Sequence, residues 1–191
     1  MPCSASSAPS NAARPSFTAV PVADGPAAQA NIVVMGVSGS GKSTIGEALA
    51  ARLGRDYLDG DTLHPRANID RMARGIALTD ADRLPWLEQV GAALVPPGRV
   101  VACSALTRAY RDLIRARAGR EVIFVYLRGR RETLARRMTR RTAHFMPVDL
   151  LDSQLATLQE PGPDERAVTV DIENGVDEIV TRAAREIADP G

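Results

Sequence analysis

Residues 31–53 confine this chain to a narrow set of folds. Asn31-Ile32-Val33-Val34-Met35 is a short apolar run, which predicts a strand buried on both faces. It runs directly into Gly36-Val37-Ser38-Gly39-Ser40-Gly41-Lys42-Ser43. From Thr44 to Leu53 the apolar residues recur at helical spacing. The turn between strand and helix matches G-x-x-x-x-G-K-[ST], the phosphate-binding P-loop. Its glycines let the backbone curl round an anion without side-chain clash. Successive N–H groups then converge at the positive end of a helix dipole. Lys42 is the only lysine in the chain, where Lys and Arg together number 24. A chain that otherwise uses arginine keeps a compact, flexible point charge where a triphosphate needs one. The motif predicts that Lys42 reaches the β- and γ-phosphates and that Ser43 places its hydroxyl on Mg²⁺.

The rest of the composition narrows the setting. At 191 residues the chain is expected to form one domain with room for a lid. A hydrophobic content of 45% suffices for a core. A net charge of +1 argues against a protein whose main work is gripping nucleic acid. No apolar run is long enough to span a bilayer. Cys3 and Cys103 are poorly placed to pair, which fits a reducing, cytoplasmic setting. Residues 1–29 are rich in Ala, Ser and Pro and are expected to be a disordered extension. They lack both the arginine-rich amphipathic pattern of a transit peptide and the apolar stretch of a secretory signal.

Beyond the P-loop, strands and helices alternate. Tyr57-Leu58 leads into Asp59-Gly60-Asp61. Pro65 opens a helix carrying Ile69 and Met72. Thr79-Asp80-Ala81-Asp82 reads as a capping box before a helix through Trp86, Leu87, Val90 and Leu94. Val100 to Cys103 and Val122 to Leu127 read as buried strands, each followed by an arginine-rich helix. Val148 to Leu158 reads as a helix, Ala167 to Ile172 as a strand and Val176 to Ala188 as a last helix. Repeated β–α alternation with apolar strands predicts an α/β fold with a parallel sheet covered on both faces. The domain is expected to span 30–191, with a lid at about 138–150. Ligands should lie beyond the carboxyl ends of the strands. The P-loop, the Asp59-Gly60-Asp61 turn and Ser104 all fall there.

Two carboxylates one residue apart at a strand end suit two jobs in phosphoryl transfer. One can support Mg²⁺, and the other can accept a proton from an attacking hydroxyl. An ordinary Asp-Gly turn is the plainer alternative. The arginines at 128, 130, 131, 136, 137, 140 and 141 form a dense cluster. Most such residues are solvated, but a transferring phosphoryl group needs cationic support, and arginine supplies it well. His64 and His144 are the only histidines. Neither has the neighbours of a zinc site. Contact with a hydroxyl-rich substrate is one reading of each, and for His64 a helix-start role is another. Trp86 reads as core.

Taken in order, these motifs resemble the gluconokinase family of the shikimate-kinase-like P-loop group. The resemblance rests on Met35 to Ser43, Leu58-Asp-Gly-Asp61, Leu63-His-Pro-Arg66, Asn68-Ile69, Asp82-Arg83 with Pro85-Trp86-Leu87, Cys103-Ser-Ala-Leu106, Tyr110-Arg-Asp-Leu113 and Thr157-Leu-Gln-Glu-Pro161. It covers about residues 31–188. It implies a P-loop NTPase three-layer sandwich with a five-stranded parallel sheet and a small mobile lid. It implies ATP and Mg²⁺, a homodimer, and transfer of the γ-phosphoryl group to the terminal hydroxyl of D-gluconate. Carried onto this sequence, it implies that Gly36, Val37, Ser38, Gly39, Ser40, Gly41, Lys42, Ser43 and Thr44 bind the triphosphate. Asp59 would support the metal with Ser43, and Asp61 would orient and deprotonate the acceptor hydroxyl. Arg137 and Arg141 would cover the phosphates. His64, Arg66, Arg71, Ser104, Arg108, Arg111 and His144 form the pool for the sugar acid. Ala143 departs from the family, which tends to carry Gly before His-Phe. The alternatives are a shikimate kinase or another small-molecule P-loop kinase, and, from a different class, a regulator that grips ATP without transferring phosphate. The Cys103-Ser104-Ala105-Leu106 segment, where shikimate kinases are Gly-rich, counts against shikimate.

Overall fold

The computed structural model of the protein describes residues 29–139 and 148–189. In chain order the elements are β1 (Asn31–Met35), α1 (Lys42–Leu53), β2 (Tyr57–Asp59), a 3-10 turn (Gly60–Leu63), α2 (Arg66–Ala73), α3 (Asp80–Ala93), β3 (Val100–Ala102), α4 (Arg108–Ala118), β4 (Val122–Arg128), α5 (Arg131–Thr139), α6 (Val148–Thr157), β5 (Ala167–Asp171) and α7 (Val176–Ala188). The strands form one parallel sheet in the order β2-β3-β1-β4-β5. The expected five-stranded, three-layer architecture is therefore what the chain adopts. The central residues of the expected lid, 140–147, lie outside the described residues, as do residues 1–28.

Strand periodicity builds two cores from one sheet. In β1 every residue is buried. Ile32 and Val34 face one layer, where they meet Ile123 and Val125 of β4, Ile45 and Leu49 of α1, and Ile179, Val180 and Ala183 of α7. Val33 and Met35 face the other, with Phe124 and Tyr126 of β4, Trp86, Leu87 and Val90 of α3, and Tyr110 and Ile114 of α4. A strand with both faces covered cannot alternate apolar and polar residues, which is why β1 and β4 read as continuous apolar runs. The edge strand β5 does alternate in burial, with Val168 and Val170 inside.

Local signals set the helix starts. α3 begins with the capping box expected from Thr79 and Asp82: the Asp82 N–H donates to Thr79 Oγ1, and the Thr79 N–H donates to the Asp82 carboxylate at 2.8 Å. α4 is capped by Thr107, whose hydroxyl accepts from the Tyr110 N–H. β3 stops at Ala102, and the chain then turns through Ala105 at φ 43°.

The strand order reverses at β1. The chain leaves β1 for β2, returns to β3 alongside β1, then crosses to β4 on the other flank. Loops at such a switch point form a crevice at the carboxyl ends of the strands. Here the two loops touch: the Gly36 N–H donates to the Ser104 carbonyl at 3.3 Å, and the Cys103 N–H donates to the Val34 carbonyl at 3.1 Å.

One buried ion pair braces the far wall of this crevice. Arg111 is fully buried and makes two bonds to Glu165, Nε to Oε2 at 2.7 Å and Nη2 to Oε1 at 2.6 Å. Its Nη1 donates to the carbonyl of Gln159 at 2.9 Å and to that of Ala105 at 3.3 Å. Arg115 and the Gly162 N–H also donate to the Glu165 carboxylate. The Arg111 guanidinium foremost, with these donors, holds the Glu165 carboxyl down at about 2, against an ordinary 4.5. A carboxyl depressed in the folded state adds stability that is complete above its unfolded value and is lost as pH falls toward the folded one. Glu165→Gln is therefore expected to cost about 3 kcal/mol at neutral pH. The gap from wild type should narrow between about pH 4.5 and pH 2 in urea-unfolding curves. A gap independent of pH would remove the pair from the stability of the fold.

Candidate active site

The P-loop folds as its glycines require. Gly39 sits at φ 81°, and a Cβ there would lie 2.7 Å from the Leu134 carbonyl of α5. Only a residue without a side chain lets the loop pass so close to that helix. Lys42 and Ser43 open α1, so their side chains project from its amino end. The Lys42 ammonium folds back over the loop and donates to the Val37 carbonyl at 3.1 Å. Ser40 Oγ is buried with no hydrogen-bond partner among the described residues. Arg137 stands beside the loop. Its Nη2 donates to the Ile172 carbonyl at 2.7 Å, and its Nη1 is 3.9 Å from where a Cβ on Gly41 would stand.

β2 carries the acid pair to the same rim. The Ser43 hydroxyl donates to Asp59 Oδ2 at 2.9 Å, and the Asp61 N–H donates to Asp59 Oδ1 at 3.0 Å. Asp59 is thus tied to the loop, while Asp61 faces the pocket beyond it. Gly60 between them lies against β3, so that any Cβ would come within 2.4 Å of the Ala102 carbonyl. The Gly60 carbonyl in turn accepts from Trp86 Nε1 at 2.7 Å. Among the described residues no group of three or more His, Cys, Asp or Glu could hold a metal unaided. A hydroxyl and a carboxylate in contact suit an ion that prefers oxygen ligands and keeps several waters, as Mg²⁺ does.

The pocket next to the loop is lined by Ser38 and Lys42, by Asp61 and His64, by Arg83 and Trp86, and by Ser104 and Gln154. Met72, Ile76, Leu78, Leu106 and Leu150 supply its apolar wall. His64 is 8% exposed and stacks on Trp86, with ring centroids 4.0 Å apart. Burial lowers the His64 pKa and favours the neutral ring. Its Nδ1 is buried with no partner among the described residues. Arg83 donates to the Tyr110 hydroxyl at 3.2 Å. An ammonium, a guanidinium, a carboxylate, an imidazole and a hydroxyl thus converge on one small space. That set suits a small anion carrying several hydroxyl groups. A cavity of 440 Å³ also opens near the start of β5, lined by Ile123, Arg166, Ala167 and Glu186 among others. Neither a glycine-rich loop nor the acid pair lines it.

Of the residues the sequence singles out, Lys42, Ser43, Asp59, Asp61, His64, Ser104 and Arg137 meet around the loop and its pocket. Four of the expected sugar-acid residues do not. Arg111 is spent on Glu165 inside the protein. Arg108 is half-exposed and bidentate to Asp164 at 3.1 and 2.6 Å, on the outer face of α4. Arg66 is exposed and pairs with Asp70 one turn along α2. Arg71 lies 3.6 Å from the Asp82 carboxylate and does not line the pocket. Arg141, Ala143 and His144 lie outside the described residues. Cys103 is a free thiol, and burial pushes its pKa up to about 12, so it is inert rather than reactive. Trp86 is core, as expected, but it also lines the pocket. The sequence places neither Arg83, which it offers only as a motif residue, nor Gln154 among the expected site residues, yet both line the pocket. The signal for Arg83 was its place in the Asp82-Arg83 pair that carries the resemblance. Gln154 carries no local signal.

Comparison with known proteins agrees with this geometry. A family model described as shikimate kinase matches residues 38–188. The gluconokinase of Gluconobacter oxydans (strain 621H) is 46% identical over 162 residues, covering 81% of this chain and 89% of that protein. The thermosensitive gluconokinase of Escherichia coli (strain K12) is 42% identical over 163 residues, covering 82% and 87%. The crystal structure of a gluconokinase from Sinorhizobium meliloti 1021 superposes with a TM-score of 0.78 at 49% identity, covering 84% of this chain and 92% of that one. Loop, acid pair and relatives agree: the chain belongs to the gluconokinase family of shikimate-kinase-like P-loop kinases.

Proposed function

We propose that this protein transfers the γ-phosphoryl group of ATP to the terminal hydroxyl of D-gluconate, giving 6-phospho-D-gluconate. The observation that carries the reading is the single pocket shared by Lys42 of the phosphate loop and Asp61 of the acid turn. A protein that only grips nucleotide has no use for a carboxylate facing the place where an acceptor would sit. The relatives above 40% identity named here are gluconokinases, which favours gluconate over shikimate.

In this reading the loop from Gly36 to Thr44 cups the triphosphate with backbone N–H groups other than those of Gly36, Ser38 and Ser40, which donate to Ser104, Gln154 and Val37. Lys42 and Arg137 offset the charge that spreads over the transferring group. Asp61 accepts the proton of the attacking hydroxyl as the new P–O bond forms and ADP leaves. Ser43 and Asp59 would hold Mg²⁺, which, when bound, neutralises charge on the β- and γ-phosphates. The neutral, buried His64 and the Ser104 hydroxyl suit sugar hydroxyls. Arg83 lines the pocket and is the guanidinium available for the carboxylate. The glycine-rich loop and the polar lining of the pocket support ATP and gluconate as the small-molecule partners. The reading extends to a cytoplasmic homodimer without a nucleic-acid or membrane partner, and a net charge of +1 gives no general basis for gripping nucleic acid. Among the described residues no helix is long and apolar enough to cross a membrane.

A coupled ADP-release assay across gluconate, shikimate and nucleoside monophosphates is expected to show turnover with gluconate. Turnover on shikimate with none on gluconate would end the reading. Asp61→Asn should lower kcat by roughly 10² to 10⁴-fold with ATP affinity nearly unchanged, and near-normal turnover would remove Asp61 from the chemistry. Because Lys42 is the only lysine, amine-directed labelling read by mass spectrometry should mark it and the amino terminus alone. Mg-ATP should shield Lys42 from the reagent, and an equal labelling rate with and without nucleotide would contradict the phosphate cradle.

A further inference from the structure

One polar group of the pocket has no part in the steps above. Gln154 stands on α6, and its Oε1 accepts a hydrogen bond from the Ser38 N–H at 2.7 Å. Ser38 lies in the middle of the phosphate loop. Gln154 also lines the pocket with Lys42, Asp61 and Ser104. Its carboxamide therefore stands where the nucleotide side of the crevice meets the acceptor side. The helix beneath it is well anchored. Leu151 is fully buried, and Asp152 makes two bonds to Arg131 of α5, at 2.6 and 2.7 Å. With its oxygen held by Ser38, the carboxamide turns its nitrogen, with two N–H donors, away from that amide.

We propose that Gln154 is a catalytic residue of the phosphoryl transfer, donating from its carboxamide N–H groups to an oxygen of the phosphoryl group in flight. This rests on the reading above, in which the loop holds ATP and Asp61 faces the acceptor alcohol. In the transfer the bond from phosphorus to the ADP oxygen breaks, the bond to the sugar-acid oxygen forms, and the alcohol proton goes to Asp61. The charge on the phosphoryl oxygens must be met without displacing either reacting oxygen. Lys42 and Arg137 supply charge from the loop side. A neutral donor held by a loop amide adds a fixed N–H on the acceptor side, and a preorganised donor acts most strongly where charge develops.

A plainer role would be to brace Ser38, and the two roles part on Gln154→Ala. Glu in place of Gln keeps an oxygen for the Ser38 N–H but offers no N–H and places a negative charge beside the phosphates. A brace lost in Gln154→Ala would weaken ADP binding together with kcat, since Ser38 belongs to the phosphate loop, whereas the charge added by Gln154→Glu would slow either role. A donor would fail with both, and worse with Gln154→Glu. Gln154→Ala is expected to lower kcat roughly 10²-fold, with KM for gluconate and Kd for ADP within about threefold of wild type. Binding of ADP with fluoroaluminate, a mimic of the planar phosphoryl group, should weaken by a similar factor. Gln154→Met, of similar volume, should match Gln154→Ala, and unchanged thermal midpoints would verify that both fold. Wild-type kcat in Gln154→Glu would overturn the proposal. So would a raised KM for gluconate at unchanged kcat in Gln154→Ala. If wild type forms phosphogluconate and Gln154→Ala keeps kcat within twofold, the role of Gln154 falls and the gluconate reading stands. If wild type forms none, the gluconate reading itself falls.

Discussion

The parallel pairing of β3 between β1 and β2 is the constraint from which the site follows. It aligns Val34 with Ala102, and Ala102 with Asp59. Three loops then leave the sheet at the same height: the phosphate loop, the acid turn and the Cys103–Leu106 segment. Each touches the next through backbone. Gly36 bonds to Ser104, and Gly60 presses on Ala102 closely enough to exclude any side chain. The chemistry is therefore placed by main-chain contacts within a rigid sheet, and the side chains have only short distances left to span.

This arrangement separates the work of support from the work of reaction. Arg111, Glu165 and Arg115 form a charged network behind the Ala105 turn, with Arg111 and Glu165 sealed from solvent. Such a network adds little net stability compared with an apolar filling, but it is intolerant of losing one member. It fixes the return of the chain after α6 against the acceptor loop, since Gln159 and Ala105 share the same guanidinium. The stacked His64 and Trp86 do the equivalent on the other side, with Trp86 fastening the acid turn through the Gly60 carbonyl.

The fold and the donor half of the site could be read from the sequence because both are encoded locally. A strand, a glycine-rich turn and a helix are contiguous, and the apolar runs of β1 and β4 declare a covered parallel sheet. The capping box at Thr79 and Asp82 lies within four residues. The acceptor half was read less well for a physical reason. An arginine on a helix near a strand end looks the same in sequence whether it faces solvent, a ligand or a buried acid. Arg108 and Arg111 differ only in which side of α4 they leave, and their partners Asp164 and Glu165 lie far along the chain. Gln154 becomes a neighbour of Ser38 only through the packing of α6 against the sheet, which no local pattern states.

The stacking of His64 on Trp86 has an optical consequence. Trp86 is the only tryptophan in the chain, and its indole lies against an imidazole that lines the acceptor pocket. The ultraviolet emission of the whole protein thus originates largely from one ring in the wall of the pocket beside the phosphate loop, giving the chain a native fluorophore that registers events there without any added dye.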